Sequence, residues 1–132
     1  MEVKIKKRML TSSCKNKGRE FEQEIAELER LFTNLTDLDI KYTSMGVQGV
    51  DIQKSTDGFR WMPIVEECKW NARHTVFRLF EQVLKHAEKF KPEYIPTLFL
   101  RQNRTKYKLA VVDAERFIKL IAEYQKMKEE LK

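Results

Sequence analysis

The apolar residues of this chain keep two different spacings in turn, and that alternation restricts the fold more than any other feature. Phe21, Ile25, Leu28 and Phe32 recur at helical spacing and Leu31 widens the stripe, which predicts a helix over 17–33. Residues 38–44 alternate as a half-buried strand does, and 50–55 and 59–69 are further strand candidates. Gly46 and Gly49 mark a turn before the second strand, and Asp57-Gly58 signals a hairpin between the second and the third. Pro63 points to a bulge or edge position near the start of the third. Helical spacing returns over 74–91, with Phe77, Phe80, Val83, Leu84 and Ala87 as the apolar face and Pro92 as the stop. Two strands, 95–101 and 107–113, flank the polar turn Gln102–Thr105. The last helix spans 114–130, with Phe117, Ile118, Leu120, Ile121 and Tyr124 apolar. Helix, three strands, helix, two strands, helix is the order of an α/β domain with a mixed sheet between helices.

A chain of 132 residues holds one such domain. Residues 17–132 supply it. Residues 1–16 carry Lys4, Lys6, Lys7, Arg8 and Lys15, and read as a solvated basic arm or a short strand. The sharper reading of that segment is an arm that contacts phosphates. The net charge of +6 favours polyanionic partners, nucleic acid before a membrane surface. Cys14 and Cys68 lie far apart and away from His74 and His86 in sequence, which argues against a zinc site and against a disulfide framework. No apolar run reaches the eighteen or so residues of a membrane span, and no apolar stretch follows the charged N-terminus. These features together predict a soluble cytoplasmic protein in a reducing compartment.

Chemistry concentrates in Gly49-Val50-Asp51-Ile52 and Val65-Glu66-Glu67-Cys68-Lys69-Trp70. Two residues apart on a strand, Glu67 and Lys69 share a face, while Glu66 takes the other. Asp51 lies on the preceding strand, and a hairpin at Asp57-Gly58 would bring it beside Glu67. Two carboxylates at one point repel each other unless a cation sits between them. Magnesium suits such a place, since it takes one or two carboxylates and keeps several waters. The main-chain carbonyl of Cys68 offers a further ligand. A lysine there would orient or help deprotonate an attacking water, or offset charge building on phosphorus. For a bare Glu-x-Lys the plainer reading is a surface ion pair; Asp51, the flanking helices and the basic chain are what set this one apart.

At these residues the sequence resembles the PD-(D/E)XK nuclease superfamily, and within it the Holliday junction resolvase-like members of archaea and phages. Lys17-Gly18-Arg19-Glu20-Phe21-Glu22 opening the first helix, Gly49-Val50-Asp51-Ile52, and Glu67-Cys68-Lys69-Trp70 carry the resemblance. Arg101-Gln102-Asn103-Arg104 and the strand Leu109-Ala110-Val111-Val112 extend it, so that it runs from Lys17 to Tyr124. Val50 stands where the family's name implies proline. The resemblance implies a restriction-endonuclease-like αβββαββα core and a metal-dependent endonuclease encoded by an archaeon, a bacterium or a phage. By that likeness Asp51 and Glu67 would hold magnesium or manganese, and Lys69 would serve the water. Glu22 would complete the metal shell, and Gln82 would face the site from the second helix. For Glu22 an ordinary helix N-terminal charge is an equal reading, and for Gln82 an ordinary polar helix residue.

Lys17, Arg19, Lys54, Arg73, His74, Arg78, Arg101, Arg104, Lys106 and Lys108 are the candidates for contacts to DNA phosphates, which position a duplex without reading its sequence. Each alone reads as well as solvated surface. The resemblance further implies cleavage of four-way junctions by a homodimer, whose two symmetry-related sites would cut two strands. Other nuclease substrates, of a restriction, nicking, replication or repair enzyme, stay open on sequence. So does a non-catalytic DNA-binding or assembly protein.

Overall fold

The computed structural model describes residues 2–43, 50–70 and 75–132, with side chains from Lys17 onward. The first helix, α1 (Glu2–Thr33), is longer than its apolar stripe suggests, so residues 2–16, expected as an arm or a strand, form its first half. Its buried face is Phe21, Ile25 and Ala26, with Leu28 packed beside them, whereas Leu31 and Phe32 are exposed. The stop is local. Thr33 Oγ1 donates to the Glu29 carbonyl at 2.7 Å, and Asn34 takes a left-handed φ of 60°. Asparagine adopts that conformation more readily than most side chains and so ends helices without glycine.

Strands β1 (Ile40–Tyr42) and β2 (Ile52–Lys54) pair antiparallel, Ile40 with Lys54 and Tyr42 with Ile52. The expected hairpin at Asp57-Gly58 is instead a short helix, α2 (Thr56–Trp61), and residues 59–61 belong to it rather than to a strand. Ser55 explains the difference: its hydroxyl accepts the Gly58 N–H at 3.0 Å and donates to Asp39 Oδ1 at 2.6 Å, which starts a helical turn where a two-residue turn was expected. Gly58 serves close packing here. A Cβ at this position would run into the Asp39 carbonyl and lie 2.9 Å from Lys54 Cβ.

Strand β3 (Ile64–Trp70) consequently pairs not with β2 but with β4 (Ile95–Arg101), in parallel, with Glu67 opposite Leu98 and Lys69 opposite Leu100. The connection between them is α3 (Val76–Ala87). Strand β5 (Leu109–Val111) adds antiparallel to β4, giving a mixed sheet ordered β3-β4-β5, separate from the β1-β2 pair. The chain closes with α4 (Ala114–Glu130), capped by Asp113, whose carboxylate accepts from the N–H groups of Glu115 and Arg116. The architecture is therefore mixed α/β with a three-stranded mixed sheet and flanking helices.

Two apolar clusters form on β3 and β4. One joins Phe21, Ile25, Ala26, Ile40, Ile52 and Cys68, placing α1 against the sheet. The other joins Val83, Leu98 and Leu100, with Val76, Leu79 and Phe80 packed on it, placing α3. The buried face of α3 is thus rotated from the expected one: Phe77 is 88% exposed and Leu84 is exposed too. Covered on both faces, β3 buries Val65 through Cys68 consecutively, as a parallel strand between layers does.

Candidate active site

Glu22 of α1, Glu67 and Lys69 of β3, and Asp51 just before β2 act on one another's charge beside the edge of β3 that β4 leaves open. Asp51, just before β2, turns its carboxylate onto this edge, and Oδ2 accepts the Cys68 main-chain N–H at 2.7 Å. A strand residue's N–H and C=O lie on the same side, so the Cys68 carbonyl also faces this edge. Asp51 therefore sits beside β3 without the expected hairpin. Its own side chain makes the link.

Glu67 is buried on the face of β3 turned to α3, where its Oε1 contacts His86 Nδ1 in the last turn of that helix. Burial pushes the Glu67 carboxyl up to about 8; the charge of Asp51, a shared hydrogen bond with it, and Glu22 push the same way, while Lys69 opposes them. Glu22 of α1 is raised to about 7, first by burial and then by Asp51, with Lys69 and Arg19 acting against the rise. Glu22, Asp51, Glu67 and Lys69 thus lie within one another's fields. Two of the three carboxyls are left favouring a proton near neutral pH. The Cys68 thiol points into the core, and burial holds it well above the usual thiol range.

The remaining expected residues scatter. Gln82 is exposed on α3, one turn before His86. Lys54, expected on DNA, is buried instead: its Nζ lies 2.9 Å from Glu66 Oε2 and 3.3 Å from Glu29 Oε1, and donates to the Ile64 carbonyl at 2.8 Å. The two-residue period of β2 accounts for this, because Lys54 shares the inward face of buried Ile52. Burial raises Glu66 well above the usual carboxylate range, with Glu29 adding to the rise and Lys54 opposing it. Neither Glu29 oxygen nor Glu66 Oε1 has a hydrogen-bond partner among the described residues.

Arg19, Arg78, Arg104 and Lys106 are exposed, Arg104 with a left-handed φ of 66° in the β4–β5 turn. Arg101 and Lys108 both bind Glu24, at 2.6 and 2.7 Å. Lys17 donates to Asn103 Oδ1 at 2.9 Å. Trp70 joins this group, with its indole N–H on the same Asn103 oxygen, the Arg101 guanidinium 4.3 Å from its ring centre and Phe21 edge-on beneath. Arg73 and His74 lie outside the described residues.

Sequence reasoning missed His86. The signal was there, since His86 follows Gln82 by four residues and shares its helix face. Among the described residues no group of three or more His, Cys, Asp or Glu side chains is placed to hold a metal ion, the expected Glu22, Asp51 and Glu67 included. No helix among them is long and apolar enough to cross a membrane. No protein-family model matches this chain, and no match was found among curated proteins or solved structures.

Proposed function

We propose that this chain is a divalent-metal-dependent DNA endonuclease acting on four-way junctions as a homodimer. The observation that carries the reading is that Glu22, Asp51, Glu67 and Lys69 lie within one another's fields, with Asp51 bonded to the open edge of β3. Carboxyls that burial first, and then one another's charge, leave favouring protons gain from exchanging those protons for a cation. The sparse donor set fits magnesium or manganese, which need one or two carboxylates and otherwise keep water. Asp51 and Glu67 would hold the ion, with Glu22 and the Cys68 carbonyl beside them. When bound, such an ion supplies Lewis acidity to the phosphate and a more acidic water.

The chain's own residues do the rest. The Cys68 N–H holds one Asp51 oxygen and leaves the other directed into the site. His86 fixes the Glu67 carboxylate from the α3 side. Lys69 brings a positive charge to where charge builds on a reacting phosphate. Arg19, Arg78, Arg104 and Lys106 are free to meet phosphates farther along a duplex. The choice of junctions rests on the sequence resemblance.

Labelled four-way junction, linear duplex and single-stranded DNA, each with magnesium or EDTA, test the proposal beside Lys69→Ala. Paired symmetric cuts in the junction alone, lost with EDTA and in the variant, are expected. Metal-dependent cutting of all three DNAs would keep the nuclease and remove the junction preference. Binding without cutting in either magnesium or manganese would leave a DNA-binding protein.

A further inference from the structure

Helix α4 presents an apolar seam that is left exposed. Over its 17 residues not one side chain is buried. Phe117, Leu120, Tyr124, Met127 and Leu131 nonetheless follow one another at steps of three, four, three and four, and all five are exposed. That spacing is the a/d repeat of a helix that packs along another helix, and period 3.5 keeps the seam in line over its whole length. The helix joins the rest of the chain at its first turn. There Asp113 caps it, and Arg116 donates to the carbonyls of Pro92 and Tyr94 at 2.6 and 2.9 Å. Beyond that turn Leu120 and Glu123 line an open groove with Pro92 and Ile95, and no side chain of the helix is buried. A helix of this length in water is marginal without tertiary packing, so the seam is the part of the molecule that calls for a partner.

The charges beside the seam say which partner. With Phe117 at a, position g holds Glu123 and the next e position holds Lys128, five residues on. In a parallel pair of identical helices the g residue of one faces the following e residue of the other. Glu123 would therefore meet Lys128 of a second copy, and the two-fold axis would make that pair twice. In an antiparallel pair g faces g, so Glu123 would meet Arg116, Glu123 or Glu130 of the second copy according to register, and never Lys128.

We propose that α4 is the dimerisation element of this protein, pairing in parallel with α4 of a second copy along the Phe117–Leu131 seam. This rests on α4 alone and holds whether or not the site on β3 cuts DNA. A two-fold helix pair rooted beside Pro92 and Tyr94 would fix the distance and angle between two copies of that site.

The experiment is sedimentation equilibrium on the full chain across a concentration series, with circular dichroism to follow folding. The unaltered chain is expected as a dimer. Leu120→Glu and Met127→Glu replace side chains that are exposed in the single copy, so the fold should survive while the dimer dissociation constant rises at least tenfold. Glu123→Lys should weaken the dimer several-fold, and adding Lys128→Glu should restore it. A monomer at all concentrations, or a dimer indifferent to Leu120→Glu, would overturn the proposal. A dimer that Leu120→Glu breaks but the double charge exchange fails to restore would overturn the parallel arrangement.

Discussion

Asp51 Oδ2 and the Cys68 main-chain N–H, 2.7 Å apart, join the start of β2 to the open edge of β3. No backbone pairing does this, because β2 bonds to β1 and β3 to β4. The carboxylate thus closes a strand edge and places itself in the candidate site at once. Asp51→Asn keeps an acceptor for the Cys68 N–H but loses the charge. It should fold with stability changed by no more than about 1–2 kcal/mol while divalent-ion affinity and any nuclease activity fall by about a hundredfold or more. Thermal melts, calorimetric manganese titration and cleavage rates check the three parts.

The carboxyl cluster sets a pH dependence. Glu67 is raised to about 8 and Glu22 to about 7 from 4.5. A carboxyl raised in the folded state holds more protons there than in the unfolded chain between the two values. Stability therefore falls as pH rises through that window. Without divalent ions the protein should be most stable below about pH 4.5 as far as this cluster is concerned, and lose that part of its stability by about pH 8. Magnesium should stabilise it more at pH 8 than at pH 6, because fewer protons then compete. Melting curves at both pH values, with magnesium and with EDTA, read this directly.

Lys54 supplies the positive charge for two buried glutamates. Removing it leaves Glu29 and Glu66 in the core without the cation that both of them contact. Lys54→Ala should cost about 3–5 kcal/mol. Replacing Lys54 by Met together with Glu29→Gln and Glu66→Gln should recover part of that loss. Urea unfolding of the two variants compares them. Recovery would place the cost in the stranded charge, and equal losses would place it in packing.

His86 contacts Glu67 from α3, so it orients a carboxylate through its ring without entering the donor set itself. His86→Ala should weaken manganese binding by about 10–100-fold, the range found for groups that support metal ligands. His86→Asn, which can place its amide near Nδ1, should recover much of the affinity. Cleavage at saturating metal should return toward the unaltered rate in both, which separates orientation from a direct chemical part.

Two elements could be read closely from local spacing: β4 and α4 coincide with the expected spans 95–101 and 114–130. Glu67 and Lys69 were legible as sharing a face because the two-residue period fixes faces whatever the pairing, whereas Asp51 reaches them through its side chain and not through the expected hairpin. What sequence hid was decided by distant parts of the chain. Asp57-Gly58 carries the same signal in a hairpin as in a short helix, and Ser55 bonding to Asp39 chose between them. Lys54 looks like any surface lysine until Glu29 and Glu66, from two other elements, meet it. The exposed Phe77 and the buried Val83 differ only in where α3 sits on Leu98 and Leu100.

Glu66 and Glu67 are adjacent and identical in kind, yet one faces Lys54 in the core and the other faces His86 and Asp51. That arrangement lets β3 report its own alignment. If the strand slid by one position, every side chain would change face. Glu67 would then take up the place beside Lys54, and Cys68 would carry no carboxylate to the site. An even slide by two would leave Lys54 opposite Cys68, a charge enclosed without a counter-charge. The neighbouring glutamates thus act as a two-sided gauge, and only one setting of the strand satisfies both readings.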